Sequence, residues 1–171
     1  SVSIEGDIGS IPAETFYNCT SLTSVSIGTS ISSIGSQAFA ECSSLSQFTI
    51  PESVGSIGDK AFYDCTSLTG ITIPAGVSSI GSNVFTGCSR LASISAASGN
   101  GTYASSDGCL YNKAMTRLIR CPEGKSGAKI ATSTVTIGAG AFANCKLVTS
   151  LTVPDSVNTI ETDAFSGSRI S

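Results

Sequence analysis

The groups that could do chemistry in this 171-residue chain are seven cysteines, twelve Asp or Glu and nine Lys or Arg; there is no histidine. The missing imidazole removes Ser-His-Asp and Cys-His catalysis and every metal site built on histidine. Cys19, Cys42, Cys65 and Cys88 stand 23 residues apart, and Cys145 follows 57 later. No Cys-x-x-Cys pair occurs, so this spacing is not a metal-ligand pattern. Free cysteine packs as a small hydrophobe, and the five read as one buried position repeated. Cys109 and Cys121 fall off that spacing. A hairpin centred near Ala114-Met115 would bring them together, which makes them the candidate disulfide if the chain is secreted. Asp59, Asp64, Asp155, Glu161 and Asp163 are scattered between apolar positions. Nothing aims two of them at one glycosidic bond, so they read as solvated loop residues. Gly138-Ala-Gly140-Ala-Phe-Ala143 imitates a nucleotide-binding fingerprint, but the aligned Gly81-Ser-Asn-Val-Phe-Thr86 lacks the second glycine. Gly124-Lys125-Ser126 ends like a phosphate loop, yet Ile119 occupies the upstream glycine position. The expectation is no catalytic residue, no metal and no cofactor.

Charge narrows the partners. Net charge is −3, the basic residues form no run, and nucleic acid, which needs clustered Lys and Arg, is not an expected partner. No apolar run approaches the roughly 18 residues of a membrane span. Charged residues are 12% of the chain against about 25% in ordinary domains. The surface must be neutral and polar, built of Ser, Thr and Gly. Asn18-Cys-Thr20 and Asn100-Gly-Thr102 match the glycosylation sequon, relevant in a eukaryotic source, with Asn100 the more accessible.

These groups sit on a strict period. Phe16, Phe39, Phe62 and Phe85 are 23 residues apart, as are Phe142 and Phe165. Each ladder Cys follows its Phe by three, and Leu22, Leu45, Leu68, Leu91 and Val148 follow by three more. Alternating segments come next: Val25-Ser-Ile27, Phe48-Thr-Ile50, Ile71-Thr-Ile73, Ile94-Ser-Ala96 and Leu151-Thr-Val153. A period of two predicts short strands with one buried face. Pro51, Pro74 and Pro154 close the segment, since proline has no N–H for a ladder. An Ile-Gly pair before each Phe (Ile34-Gly35, Ile57-Gly58, Ile80-Gly81, Ile137-Gly138) reads as a tight turn. Ala-Phe-x-x-Cys predicts a short helical or 3₁₀ turn. One unit cannot bury its apolar face, but stacked units can, with strands about 4.8 Å apart in a parallel sheet.

The period breaks once: Phe85 and Phe142 are 57 apart, one period plus 34 residues. The predicted organisation is a single domain of repeats over 1–96, a hairpin insertion over about 97–129 and repeats over 130–171. The hairpin is expected to project from the stack or cap one edge. It gathers Tyr103, Tyr111, Lys113, Arg117, Arg120 and Lys125. Both ends fall inside a repeat, so the chain is expected to belong to a longer protein.

The pattern Leu-x-x-Ile-x-Ile-Pro-x-x-Val-x-x-Ile-Gly-x-x-Ala-Phe-x-x-Cys-x-x-Leu closely resembles the BspA-like leucine-rich repeats of bacterial and protist surface antigens. The resemblance covers essentially the whole chain, and Tyr103 to Lys113 is similar to that family's Tyr-x-x-x-Asp-Gly-x-Leu-Tyr-Asn-Lys hairpin. It implies a curved right-handed leucine-rich-repeat solenoid of β/α or β/3₁₀ coils, displayed outside the cell. It also implies adhesion to extracellular proteins or glycans of matrix, host cell or other microbes. It carries over no catalytic residue, because its motif describes scaffold positions. Ile11-Pro12, Ile160-Glu161 and Ser168 depart from the pattern in the terminal repeats.

Two surfaces are candidates for ligand binding. One is the outward stripe of the strands: Ser24, Ser26, Gln47, Thr49, Gly70, Thr72, Ser93, Ser95, Ser150 and Thr152. It has no aromatic or charged residue, whereas binding hot spots favour Trp, Tyr and Arg. The other is the hairpin, with Tyr103, Tyr111, Arg117 and Arg120. Two functions stay open: a surface recognition module, or a structural spacer presenting another domain.

Overall fold

The computed structural model describes residues 1–4, 6 and 8–170. Ser171, the last residue of the final repeat block, lies outside the described residues. The chain winds into a solenoid of about seven turns on the 23-residue period. On one side, β1 (Val2–Ile4) pairs in parallel with β2 (Val25–Ile27), Val2 opposite Val25. The strand β5 (Gly70–Ile73) pairs likewise with β7 (Ser93–Ala96). Alternation works as expected: Ile71 and Ile73 are buried and Thr72 is exposed. The intervening Phe48–Ile50 keeps that alternation of burial without strand pairing. Its Phe48 replaces a smaller aliphatic residue, and the ring wedges between Phe39 and Phe62 at 4.8 and 4.9 Å.

The Ile-Gly pairs form a second ladder rather than turns. β3 (Ser33–Ile34), β4 (Ser56–Ile57) and β6 (Ser79–Ile80) pair in parallel, and Ile11 bridges to Ile34. The glycine after each isoleucine is required by proximity: a Cβ on Gly58 would lie 2.5 Å from the Ser36 nitrogen, and Gly35 and Gly81 meet the preceding coil at the same distance.

The third side is the Ala-Phe-x-x-Cys segment, and here the helical expectation fails. No helix occurs among the described residues. Two residues per coil adopt a left-handed backbone, as at Lys60 (φ 56°) and Asp64 (φ 54°), and these break any helical run. Alternate N–H groups of the turn donate to the next coil, while those between them bond within the turn, as Tyr63 does to the Lys60 carbonyl at 3.0 Å. Lys60, Phe62 and Asp64 donate to the carbonyls of Ser82, Val84 and Thr86 at 2.9, 3.1 and 2.9 Å.

Two columns fill the interior. Phe16, Phe39, Phe62 and Phe85 stack at 5.1, 5.4 and 5.9 Å, and Phe142 stacks on Phe165 at 5.3 Å. The thiols of Cys42, Cys65 and Cys88 donate back to the carbonyls of Phe16, Phe39 and Phe62 at 3.1, 3.1 and 3.0 Å. Cys145 belongs to the same buried column, but Cys19, in the first coil, is exposed. Phe16 and Phe165, in the outer coils, are half-buried.

The insertion is not a projecting hairpin. It is a three-stranded meander: β8 (Tyr103–Ser106), β9 (Cys109–Asn112) and β10 (Arg117–Arg120). The last of these pairs in parallel with β11 (Thr136–Ile137), which pairs with β12 (Thr159–Ile160). The order β12-β11-β10-β9-β8 makes one sheet, with β10 standing in for an ordinary coil. Its Leu118 sits opposite Ile137. Along β9, Leu110 joins the N-terminal core, while Cys109 and Tyr111 join the C-terminal one.

Because coil spacing leaves no room at the second ladder, Gly58→Ala should destabilise the fold by about 1–3 kcal/mol, the usual range for overpacking. Lys60→Gly should be neutral or stabilising by up to about 1 kcal/mol, since glycine accepts a left-handed φ without strain. Urea midpoints at constant slope measure both.

Candidate recognition surfaces

The hydroxyl stripe is where the alternation puts it. Ser24, Ser26, Gln47, Thr49, Thr72, Ser95, Ser150 and Thr152 are exposed, and Gly70 and Ser93 are half-buried. Thr49, Thr72, Ser93 and Ser95 line a shallow groove of about 300 Å³ with Glu52 and Pro74. Glu52 was not among the sequence candidates; its position directly after Pro51, at the end of the stripe, was the available signal. Ser150 and Thr152 lie in the C-terminal block, on the far side of the insertion. The β8–β9 turn abuts β7, where the Ile94 N–H donates to the Gly108 carbonyl at 2.9 Å.

The insertion residues nominated as a ligand patch are engaged with the protein itself. Tyr111 is wholly buried, and its hydroxyl accepts from the Ala131 N–H at 3.2 Å. Tyr103 is half-buried, and its hydroxyl accepts from the Ile80 N–H at 3.0 Å, at the edge where the β3-β4-β6 ladder ends. Burial raises the pKa of both phenols. Arg117 is half-buried in a two-pronged pair with Glu161 that reaches across β11. That pair holds the Glu161 carboxyl below its ordinary range. Arg120 donates to the Gly140 carbonyl at 2.7 Å and to Glu123 at 2.6 Å, with Glu123 buried. Lys113 donates to the Asn100 carbonyl at 2.6 Å, and Lys125 pairs with Asp107 at 3.3 Å. All four cations of the patch are therefore neutralised or tied down internally.

Glu123 has a second partner that sequence spacing could not show. In the preceding coils the N–H two residues past the Phe donates to the next coil's carbonyl, as Glu41 does to Tyr63 at 2.7 Å. At Gly87 the Glu123 carboxylate accepts instead, at 2.9 Å. Asn100 plays a similar part. It is fully buried, donating to the carbonyls of Pro74 and Val77 and accepting from the N–H groups of Thr102 and Tyr103, at 2.7–2.9 Å. The expectation that this sequon is accessible is overturned, because its amide is consumed in closing the N-terminal block.

Cys109 and Cys121 do meet, with Cys145 beside them, but as free thiols. Hydrogen bonds to Cys109 and Cys145, together with burial, push the Cys121 thiol far up. Burial also raises Cys42 to about 11 and Cys88 to about 12.

Comparison with known proteins agrees with this architecture. The family model described as "BspA type Leucine rich repeat region" matches residues 9–126 and 125–171, in six copies. Among solved structures, a leucine-rich repeat protein from Eubacterium ventriosum is 26% identical with a TM-score of 0.77, covering 97% of this chain and 50% of its own. A leucine-rich cell surface protein from Faecalibacterium prausnitzii is 29% identical, TM-score 0.60, covering 90% and 54%. The pneumococcal vaccine antigen PcpA is 23% identical and shares the fold, with a TM-score of 0.78 over 98% of this chain and 48% of its own. The chain thus spans about half the length of these relatives. No curated protein matches it in sequence.

Two outcomes follow from the buried groups. Glu123→Ala strands Arg120 and the Gly87 N–H in the interior, and should destabilise by about 3–5 kcal/mol in a denaturant melt. In the native protein at neutral pH a thiol reagent should modify Cys19 rapidly, while the remaining thiols react only on the timescale of unfolding.

Proposed function

The chain belongs to the BspA-type leucine-rich repeat family, and from that membership we propose that it is a non-catalytic recognition module displayed at a bacterial cell surface. The surface placement is supported by the family and by the relative from Faecalibacterium prausnitzii, whose description names it a cell surface protein.

The observation that carries the choice of face is the internal pairing of Arg117, Arg120, Lys113 and Lys125. With the insertion's charges and both its tyrosines engaged, the stripe from Ser24 to Ser95 is the nominated surface left free to meet a partner. Its groups are hydroxyls, one amide and, at one end, the Glu52 carboxylate. Such a face suits a neutral, hydrogen-bonding partner: a glycan chain or the polar surface of an extracellular matrix or microbial protein. Solenoids commonly bind through long open faces of this kind. A lack of aromatic anchors on the stripe favours modest affinity per domain, raised by repetition along a cell surface.

The test is binding of the purified chain to immobilised matrix proteins, mucins and glycans by biolayer interferometry, beside a double variant, Thr49→Lys with Thr72→Lys. Saturable binding that the double variant weakens at least about tenfold, near 1.4 kcal/mol, with an unchanged melting curve, is the expected outcome. Binding to none of the panel would instead assign the chain to the spacer role.

A further inference from the structure

At the corner between the second ladder and the phenylalanine column, the surrogate coil is too short. In an ordinary coil the phenylalanine stands five positions after the ladder isoleucine, as Phe142 does after Ile137. In the insertion, Leu118 is in register with Ile137, and the N–H of Cys121 donates to the Ala141 carbonyl as a phenylalanine N–H does elsewhere. Three positions make the same journey. The chain cuts the corner and leaves a cleft of about 540 Å³ between the coil of Asn83 and that of Ala139. That size lies within the range of about 300–1,000 Å³ typical of ligand sites.

The two walls of this cleft are complementary halves of an interrupted ladder. In each preceding coil the N–H groups at the positions of Asn83 and Phe85 donate to the next coil, as Gln37 and Phe39 do to Asp59 and Ala61, both at 2.9 Å. Among the described residues, the N–H groups of Asn83 and Phe85 make no such bond. On the opposite wall the Ala139 carbonyl, counterpart of the Asp59 acceptor, likewise receives no donor among the described residues. Ile80, Leu110 and Ile119 supply apolar lining, and the Arg120 guanidinium borders the cleft.

We propose that this cleft is a peptide-binding site, taking a short segment of a partner polypeptide that completes the ladder. A polypeptide offers carbonyls to one wall and N–H groups to the other at the spacing of a single chain, as peptides added to exposed sheet edges do. A glycan offers no such fixed alternation of donors and acceptors, and the Phe85 ring is buried too far to serve as a sugar-stacking platform. The site is separate from the hydroxyl stripe and does not depend on what that stripe binds.

The probe is the acetylated, amidated peptide Gly-Ser-Gln-Ala-Phe, the protein's own residues 35–39, which spell the corner that the surrogate coil omits. Titrated into the isotopically labelled chain, it should shift the amide resonances of Asn83 and Phe85 saturably at millimolar concentration or below. Ala139→Trp, an exposed position whose new ring would fill the cleft, should weaken this at least tenfold, as should N-methylation of the peptide glutamine. Thr49→Lys with Thr72→Lys should leave it unchanged. The proposal is overturned if the two amides stay in place at saturating peptide, or if the N-methylated peptide binds as well as the parent.

Discussion

Everything in this molecule is organised by the distance at which one coil lies on the next. Backbone hydrogen bonds on three sides hold the coils so close that a single methyl group at Gly35, Gly58 or Gly81 would strike the preceding backbone. From that spacing the rest follows. The rings of successive phenylalanines must stack face to face, because the coil repeat falls within the range of offset ring stacking. Each cysteine thiol must lie under the preceding phenylalanine carbonyl and donates to it. A thiol is therefore more than a filler there: it gives a second hydrogen bond to a carbonyl that already accepts the cysteine N–H of its own turn, and burial keeps it protonated so that it can donate.

Such tight stacking creates a difficulty wherever the repeat stops. Each coil exposes a row of N–H groups that expects a successor, and the insertion is a set of answers to that expectation. Tyr103 gives a phenol oxygen to Ile80, Glu123 a carboxylate to Gly87, Ser105 a hydroxyl to Ala96, and Gly108 a carbonyl to Ile94. Three of the four substitutes are side chains. The second block of repeats can then begin in a fresh register, since nothing obliges its carbonyls to align with the first block's donors. Among the described residues that face the insertion, the N–H groups of Asn83 and Phe85 at the shortened corner are left open.

The periodic part of this architecture was legible because it is written in large side chains at fixed spacing. The grid of Phe, Cys and Leu, the alternating strands and the outward stripe of Thr49, Thr72 and Ser95 all come from residue type and count. The second ladder was not legible, because two residues, Ile-Gly, are too few to carry a period and glycine suggests a turn before it suggests crowding. Helical spacing in Ala-Phe-x-x-Cys misled, since left-handed residues interrupt it at both ends. Most of that signal was present: Asn18, Asp64, Asn83, Gly87, Gly140, Asn144, Asp163 and Gly167 are all residue types that favour such a backbone, whereas Glu14, Gln37, Glu41 and Lys60 give no hint. The roles of Arg120 and Glu123 were beyond reach. Their pairing depends on an unfilled donor at Gly87, 36 residues away, which exists only once the coils are stacked.

The alternation along β9 has a consequence for how the molecule comes apart. In a stack of like repeats, disorder spreads from coil to coil with the same nearest-neighbour coupling at every step, as in a one-dimensional Ising chain. At β9 that coupling changes identity: Leu110 belongs to one core, and its neighbours Cys109 and Tyr111 to the other. A melting front arriving from either end meets there a link of different strength from all those it has passed. The insertion thus stands as a grain boundary between two regular stacks of coils, the place where the coupling from coil to coil changes.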